Sequence, residues 1–295
     1  MPELPEVEAL TRFLDGKSRG GTVQRAELAS FSALKTFDPP LSALVGATVA
    51  GWSRKGKFLL METRAGAGGG GAGRIWLALH LARGGWVRWS ESLPEKVARP
   101  GKGPLALRVG LHAGSGFDVT EAGTEKRLAA WVVRDPEEVE PMARLGPDPL
   151  DTAFGAVVLG TLLREHGGQL KSALTTQSVL AGVGNAYSDE ALHVARLSPF
   201  KAADRLNDEE VARLHQALVG VLRDAVERSI GLSAAGLKDE KRSGMRVHGR
   251  AGRPCPECGD TVRQVAFATK SLQYCPTCQT GGKLLADRRL SRLLK

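Results

Sequence analysis

The chain has 295 residues, 42% of them apolar, with 41 Lys and Arg against 32 Asp and Glu and a formal net charge of +9. This length is sufficient for a sizeable core in two domains with a small appended module. No stretch approaches the roughly 20 apolar residues of a membrane span, and the first residues lack the features of a signal peptide, which favours the cytosol. Residues 238–295 carry 13 Lys and Arg against 5 Asp and Glu, so the charge favours a polyanionic partner near the C-terminus.

Pro2, Glu3 and Glu6 stand at the start of the chain, directly before an apolar helical pattern. A proline in second position permits removal of Met1, which leaves a secondary amine. An α-amino group titrates near about 8 and a lysine near about 10.4, so the amine has a useful unprotonated fraction at neutral pH. Attack on a sugar aldehyde would give an iminium, with the two carboxylates as candidate acids or bases. Proline and glutamate also suit the first turn of an ordinary helix.

Apolar residues at helical spacing predict a helix over 4–14, which would hold Pro2 and Glu3 against the body of the protein. Short apolar or alternating runs, separated by Gly, Pro and charged turns, then predict the strands of an antiparallel sandwich or barrel. The predicted strands are 23–28, 48–53, 58–62, 75–79, 86–89, 105–111, 117–120 and 128–133.

The turn-rich segment 145–150 predicts a boundary, after which the apolar period becomes helical. We predict helices around 157–163, over 171–176 and after a capping box of Asn207 and Glu210. Between them lies the sequence Gly-Val-Gly-Asn at 182–185. Its glycines permit a tight turn, and the next helix would aim its first N–H groups and the Asn185 side chain at an anion such as a phosphate. The same residues equally suit a plain helix–helix turn.

The four cysteines form two Cys-x-x-Cys pairs with 16 residues between them: Cys255, Cys258, Cys275 and Cys278. In a reducing compartment this spacing predicts a zinc site with four thiolate ligands rather than two disulfides. The segments 261–268 and 272–274 are predicted strands of the hairpin that carries the ligands. A hairpin this small depends on metal ligation for its stability, and four thiolates leave no open position, so we expect one structural Zn2+.

Four separated elements occur together in one order. They are Pro2-Glu3-Leu4-Pro5-Glu6-Val7-Glu8, Lys55-Gly56-Lys57 before a strand, the turn at 182–185 and the four-cysteine hairpin. Together they resemble the formamidopyrimidine-DNA glycosylase and endonuclease VIII family of base-excision repair enzymes, over residues 2–279. The resemblance implies an α+β multidomain fold of a β-sandwich with flanking helices (2–146), a helix-two-turn-helix domain (150–246), a zinc-finger hairpin (247–279) and a basic tail (280–295). It also implies damaged DNA, double- or single-stranded, as the partner of a monomer.

The resemblance further assigns roles to matching positions. Pro2 would attack C1′ of the everted damaged nucleotide, Glu3 would donate a proton as the sugar ring opens, and Lys57 would contact DNA near the lesion and support catalysis. Lys171 and Asn185 would hold the flanking phosphates. The implied enzyme removes the base and then cuts the strand by β- and δ-elimination.

Three departures from the family pattern affect these expectations. Lys270 stands where the finger loop usually carries an arginine; it keeps the charge, without the planar fork, and we expect it to assist catalysis. Arg83 and Leu128 replace the void-filling methionine and phenylalanine of the formamidopyrimidine type, so we expect oxidised pyrimidines as in the endonuclease VIII branch, with oxidised guanine as the alternative. The tail after the last cysteine could add DNA contacts or form a solvated helix. The further residues expected at DNA are Glu6, Arg83, Lys126, Arg127 and Leu128.

Two other functions fit part of the sequence. A protein that only binds damaged DNA would need no free secondary amine, and a zinc-ribbon transcription factor would leave the first 150 residues unexplained. His80 is expected to be structural or near DNA rather than a metal ligand.

Overall fold

The computed structural model describes residues 1–64, 73–101, 103–267 and 271–286. The chain divides into two compact units. Unit 1 consists of Met1–Arg144 and Ser229–Lys238, and unit 2 consists of Leu145–Arg228 and the chain from Asp239 onward. Within the described ranges, no helix combines the length and the apolar character that crossing a membrane requires.

The described part of unit 1 is built on two four-stranded antiparallel sheets, in the orders β1-β6-β7-β5 and β2-β3-β4-β8. All eight strands were predicted, and most extend one or two residues beyond the apolar runs, because the flanking polar residues continue the backbone ladder. The elements are α1 (Leu4–Ser18), β1 (Val23–Leu28), β2 (Thr48–Lys55), β3 (Phe58–Arg64), β4 (Arg74–His80), β5 (Gly85–Ser90), β6 (Leu105–Leu111), β7 (Gly116–Glu121), β8 (Ala129–Val133) and the short α2 (Glu140–Ala143).

Helix α1 packs against β2 and β3 through one apolar stripe. Val7, Leu10 and Leu14 on this stripe are fully buried, at the three- and four-residue spacing of a helix face. The helix continues to Ser18, beyond the predicted end at residue 14. The Ser18 hydroxyl donates to the Leu14 carbonyl at 2.6 Å and accepts a hydrogen bond from Nε1 of Trp52 at 2.8 Å, which fixes this last turn to β2.

A late segment of the chain completes the core of unit 1. Leu237 and Ala234 are buried in the same apolar cluster as the sheets. Nε1 of Trp86 donates to the Ala234 carbonyl at 2.9 Å, and the Lys238 ammonium lies 4.5 Å from the centroid of the Trp86 ring. The segment Ser229–Lys238 is therefore a structural part of unit 1.

Unit 2 combines helices with a small antiparallel hairpin. The predicted capping box is present, since Oδ1 of Asn207 accepts from the N–H of Glu210 at 2.9 Å and Oε2 of Glu210 accepts from the N–H of Asn207 at 3.1 Å. Ser229, which ends the long helix 208–229, and Leu237 and Lys238, which begin the helix 237–243, belong to unit 1. The elements are α3 (Ala156–His166), α4 (Leu170–Thr175), α5 (Asn185–Val194), α6 (Asp208–Ser229), α7 (Leu237–Ser243), β9 (Arg263–Ala266), β10 (Ser271–Tyr274) and α8 (Pro276–Thr280).

Candidate active site and zinc centre

Pro2 and Glu3 are buried where α1 begins. Glu3 is the N-cap residue, and its backbone N–H donates to Oε2 of Glu6 at 2.8 Å, while the Glu3 side chain accepts from the N–H of Glu6. This capping box holds the start of the chain in one orientation on the helix. Glu6, which we expected at DNA, is only 2% exposed, and its carboxylate accepts the capping hydrogen bond from Glu3. Its role at DNA stays a prediction. The Pro2 nitrogen is an amide while Met1 is attached, and it becomes an amine only after Met1 is removed.

Lys57 lies in the tight turn between β2 and β3. Lys55 pairs with Phe58 across the ladder, so Gly56 and Lys57 form a two-residue turn. Gly56 has a φ of +56°, which glycine adopts without strain. The side chain of Lys57 is covered by the unit, with the residue only 6% exposed. The turn therefore presents a buried cation at the end of the sheet on which α1 packs.

Arg54 links this turn to α1. Its Nε donates to Oε2 of Glu8 at 3.0 Å, and its Nη1 donates to the Gly56 carbonyl at 3.2 Å. Burial favours the neutral form of Glu8, but the hydrogen bonds from Arg12 and Arg54 outweigh it and hold the pKa of Glu8 below its ordinary value. Sequence reasoning missed this pair, because no local pattern connects residues 46 positions apart.

His80 lies beside Lys57. It pairs with Phe58 across β3 and β4, and the two rings have centroids 4.9 Å apart. Burial, followed by the positive charge of Lys57, lowers the pKa of His80 to about 4. The imidazole is therefore neutral at pH 7 and can donate one hydrogen bond and accept another. No local pattern in the sequence links His80 to Lys57, because strand pairing brings them together.

Leu128, which we expected at DNA, has its side chain in the core of unit 1 in the free protein, and its role at DNA stays a prediction. It is 2% exposed and belongs to the core cluster of unit 1. Oε1 of Glu121 accepts hydrogen bonds from the backbone N–H groups of Arg127 and Leu128, at 2.8 and 2.9 Å. These two bonds turn the backbone so that the Leu128 side chain lies in the core. The Lys126 ammonium donates to the Glu121 carbonyl, and Arg127 pairs with Glu125 at the surface. Lys126 and Arg127 as DNA contacts stay predictions.

Arg83 follows β4 in the turn before β5 and is exposed. The preceding Ala82 has a φ of +49°, so the backbone reverses sharply at this point. The position is compatible with a surface contact, and its role in DNA binding stays a prediction.

The Gly-Val-Gly-Asn sequence forms the turn that starts α5. Gly182 has a φ of +83°, and its N–H donates to Oε1 of Gln177 at 3.0 Å. Asn185 is the first residue of the helix, and its Nδ2 donates to the Ser271 carbonyl of β10 at 2.7 Å. One side-chain donor of Asn185 thus ties α5 to the finger hairpin, and its role in holding a phosphate stays a prediction.

The Lys171 ammonium forms hydrogen bonds to three groups of α5 within unit 2. Its ammonium donates to the Asn185 carbonyl at 2.7 Å, to Oγ of Ser188 at 2.9 Å and to Oδ1 of Asp189 at 2.6 Å. Oδ2 of Asp189 lies 2.7 Å from Nδ1 of His248. Three acceptors match the three donors of an ammonium. The packing of α4 on α5 brings these acceptors together around Lys171, and its role in holding a phosphate stays a prediction.

The four cysteine sulfurs form one cluster in which all lie within 4.8 Å of one another. The sulfurs of Cys258 and Cys275 are 3.4 Å apart, and those of Cys255 and Cys278 are 3.9 Å apart. A tetrahedral zinc with Zn–S distances of about 2.3 Å places its ligands about 3.8 Å apart, so the cluster fits this metal. Burial raises the pKa of Cys275 to about 11 and also raises that of Cys278, so these two thiols need a nearby cation to ionise at neutral pH.

Two predicted elements lie outside the described residues. Lys270 falls in the gap at 268–270, and most of the basic tail falls in 287–295. Both stay predictions.

Three family models together match most of the chain. Residues 1–124 match the formamidopyrimidine-DNA glycosylase N-terminal domain, 145–235 match the formamidopyrimidine-DNA glycosylase H2TH domain, and 252–281 match the zinc finger found in FPG and IleRS. The zinc-finger match agrees with the cysteine cluster and supports one structural zinc.

Similar proteins carry the same description. An uncharacterized formamidopyrimidine-DNA glycosylase-like protein of Mycobacterium tuberculosis is 61% identical over 151 residues, which are 51% of this chain and 94% of that protein. The formamidopyrimidine-DNA glycosylase of Symbiobacterium thermophilum is 34% identical over 98% of this chain and 93% of its own length. A solved complex of a Lactococcus lactis FPG variant with Fapy-dG containing DNA is 25% identical and covers 95% of this chain and 100% of that one, with a TM-score of 0.80. The chain therefore belongs to the formamidopyrimidine-DNA glycosylase family of base-excision repair enzymes.

Proposed function

We propose that this protein is a bifunctional DNA glycosylase and abasic-site lyase whose nucleophile is the amine of Pro2. The observation that carries the proposal is the buried capping box of Glu3 and Glu6, which fixes Pro2 at the start of α1. The link from Arg54 to Glu8 places Lys57 on the same framework. A passive DNA-binding protein has no need of a fixed N-terminal amine beside a buried carboxylate.

The proposed reaction begins when the Pro2 nitrogen forms a bond to C1′ and the glycosidic bond breaks. The base leaves with the bonding electrons and takes up the proton that the nitrogen loses. Glu3 gives a proton to O4′ as the C1′–O4′ bond opens, which produces an iminium between Pro2 and the sugar. Loss of a proton from C2′ then expels the 3′ phosphate. A second proton loss expels the 5′ phosphate, and hydrolysis of the iminium returns the free amine.

Borohydride trapping tests this proposal. Reduction of the iminium should join the mature protein to an oligonucleotide with an abasic site. Extension of the N-terminus by one residue that is not removed leaves α1 in place but converts the Pro2 nitrogen to an amide, and trapping should disappear. Trapping that persists in the extended protein, or that fails when mass spectrometry shows a free Pro2, would refute the proposal.

Glu3→Gln separates the two stages. Glutamine keeps an acceptor for the capping box but cannot donate a proton from a carboxyl group. We expect slow removal of a damaged base, with a smaller loss on an abasic site that is already formed. Equal losses on both substrates would argue against proton donation by Glu3.

We further propose that oxidised pyrimidines are the preferred bases. Arg83 at the surface and Leu128 in the core leave this chain without the methionine and phenylalanine that usually fill the vacated stack in the formamidopyrimidine type. The second candidate is an oxidised or ring-opened guanine, and the Fapy-dG DNA in the Lactococcus lactis complex favours it. Single-turnover rates on duplexes that each carry one oxidised base distinguish the two.

We also propose that the protein acts on DNA as a cytosolic monomer. Its net charge of +9 supports a polyanionic partner. Sedimentation of the free protein and of its complex with one abasic-site duplex should give one chain in each. Two chains per duplex would contradict this.

A further inference from the structure

A histidine outside the cysteine cluster touches one of the expected metal ligands. His193 lies on α5, the helix that begins after the Gly-Val-Gly turn, and it is 1% exposed. Its Nε2 is 3.2 Å from Sγ of Cys255. Its other ring nitrogen, Nδ1, is buried and has no hydrogen-bond partner within the described part of the chain.

This environment determines which nitrogen carries the proton. A neutral imidazole has one N–H and one lone pair. A proton on Nδ1 would be a buried donor without an acceptor, whereas a proton on Nε2 points at sulfur. The Nε2–H form is therefore the stable one, and a thiolate is the acceptor it requires.

We propose that His193 is a positioning residue for the zinc centre, whose Nε2–H donates to the metal-bound thiolate of Cys255. Four thiolates around one Zn2+ carry a net charge of −2, and Cys255 is 3% exposed, so an N–H donor offsets negative charge that water reaches poorly. Partners that hydrogen-bond to metal ligands commonly change metal affinity by about 10- to 100-fold.

The hydrogen bond also connects the metal to the helix that starts at the proposed phosphate turn. Other side chains of α5 hold backbone near the finger: Asn185 donates to the Ser271 carbonyl, and Glu190 accepts from the N–H groups of Arg246 and Val247. His193 adds a contact from the same helix to the metal ligand Cys255. The finger and the start of α5 should consequently respond to zinc as one element.

Zinc release to a chromophoric chelator tests the role of His193 in the intact protein. His193→Phe keeps a ring but removes the N–H, and we expect zinc affinity to fall about 10- to 100-fold. His193→Gln keeps a donor near the position of Nε2 and should restore most of the affinity. His215→Phe is the matched control, because it removes another histidine of unit 2, whose Nε2 lies 2.8 Å from the Phe154 carbonyl. It should release zinc like the wild type.

NMR spectroscopy of the wild-type protein tests the hydrogen bond from His193 even if His193→Phe folds poorly. In wild-type protein that is loaded with 113Cd and labelled with 15N at histidine, the His193 ring should show the Nε2–H form, with its proton coupled to the metal through sulfur. An Nδ1–H form, or wild-type zinc affinity in His193→Phe, would overturn the proposal. Neither result depends on whether Pro2 is the nucleophile.

Discussion

Arg54 and Glu8 join the N-terminal helix to the turn that carries Lys57. The Arg54 guanidinium reaches Oε2 of Glu8 at 3.0 Å and the Gly56 carbonyl at 3.2 Å, and its side chain is only 8% exposed. Neither residue is a reacting group in the proposed chemistry. We expect their contacts to hold the turn that carries Lys57 against the helix that begins after Pro2.

Arg54→Ala should lower both stability and base excision. It leaves the Glu8 carboxylate without its buried partner, and we expect a loss of about 2 kcal/mol or more in the free energy of unfolding. Arg12→Ala is the control, because Arg12 also binds Glu8 but its side chain is 55% exposed, and it should cost less than about 1 kcal/mol. All five tryptophans lie in unit 1, so tryptophan fluorescence during urea unfolding reports the change there. Equal losses in the two variants would show that Arg54 has no special role.

The imidazole of His80 should titrate near pH 4 in an NMR titration. Burial is the larger cause and the charge of Lys57 the second, so Lys57→Met should raise the pKa of His80 only part of the way to its ordinary value. Lys55→Met removes a more exposed charge from the same hairpin and should leave that pKa unchanged. An unchanged value in Lys57→Met would mean that the two side chains are not neighbours.

The same group predicts a pH dependence of stability. The pKa of His80 is lower in the folded state than the 6.5 of a free histidine, so the unfolded chain binds more protons between pH 6.5 and about 4. Stability should therefore fall as the pH falls through this window, by about 2 kcal/mol from pH 7 to pH 5 through His80 alone. His80→Gln should lose this part of the dependence. A wild-type slope in His80→Gln would assign the effect to other groups.

Lys171→Met should destabilise unit 2. The variant leaves Asp189, which is 1% exposed, without its ammonium partner, and we expect a loss of about 3 kcal/mol or more. Lys201→Met breaks the more exposed pair with Glu210 and should cost less than about 1 kcal/mol. Thermal unfolding followed by circular dichroism compares the variants. If Lys171→Met weakens DNA binding without loss of stability, Lys171 acts on phosphate instead.

Removal of zinc by a chelator should destabilise helix α5 as well as the finger hairpin. Asn185 and Asp189 on α5 both bond to β10, so amide exchange should become faster in α5 as well as in β10. The strand β3 of unit 1 provides the internal control and should keep its protection. Exchange that changes only between the cysteines would show that α5 does not depend on the metal.

Features with a local pattern were readable from the sequence. The eight strands of unit 1 followed from alternating apolar residues between turn residues, and the capping box of α6 followed from Asn207 and Glu210. The spacing of the four cysteines predicted the cluster that the structure contains. Each of these features is fixed by residues close together in the chain.

Features that depend on packing between distant segments were not readable. Leu128 occupied the position of a DNA plug by resemblance, but the two N–H groups held by Glu121 turn its side chain into the core. The acceptors around Lys171 meet only after α4 packs on α5. The same holds for His193 and Cys255, which are 62 positions apart.

The return of Ser229–Lys238 to unit 1 has a consequence for synthesis on the ribosome. The sheets and α1 emerge first, but Trp86 lacks the acceptor for its indole N–H until Ala234 has been added to the growing chain. We therefore expect the core of unit 1 to be completed only after residues 145–228 of unit 2 have been synthesised.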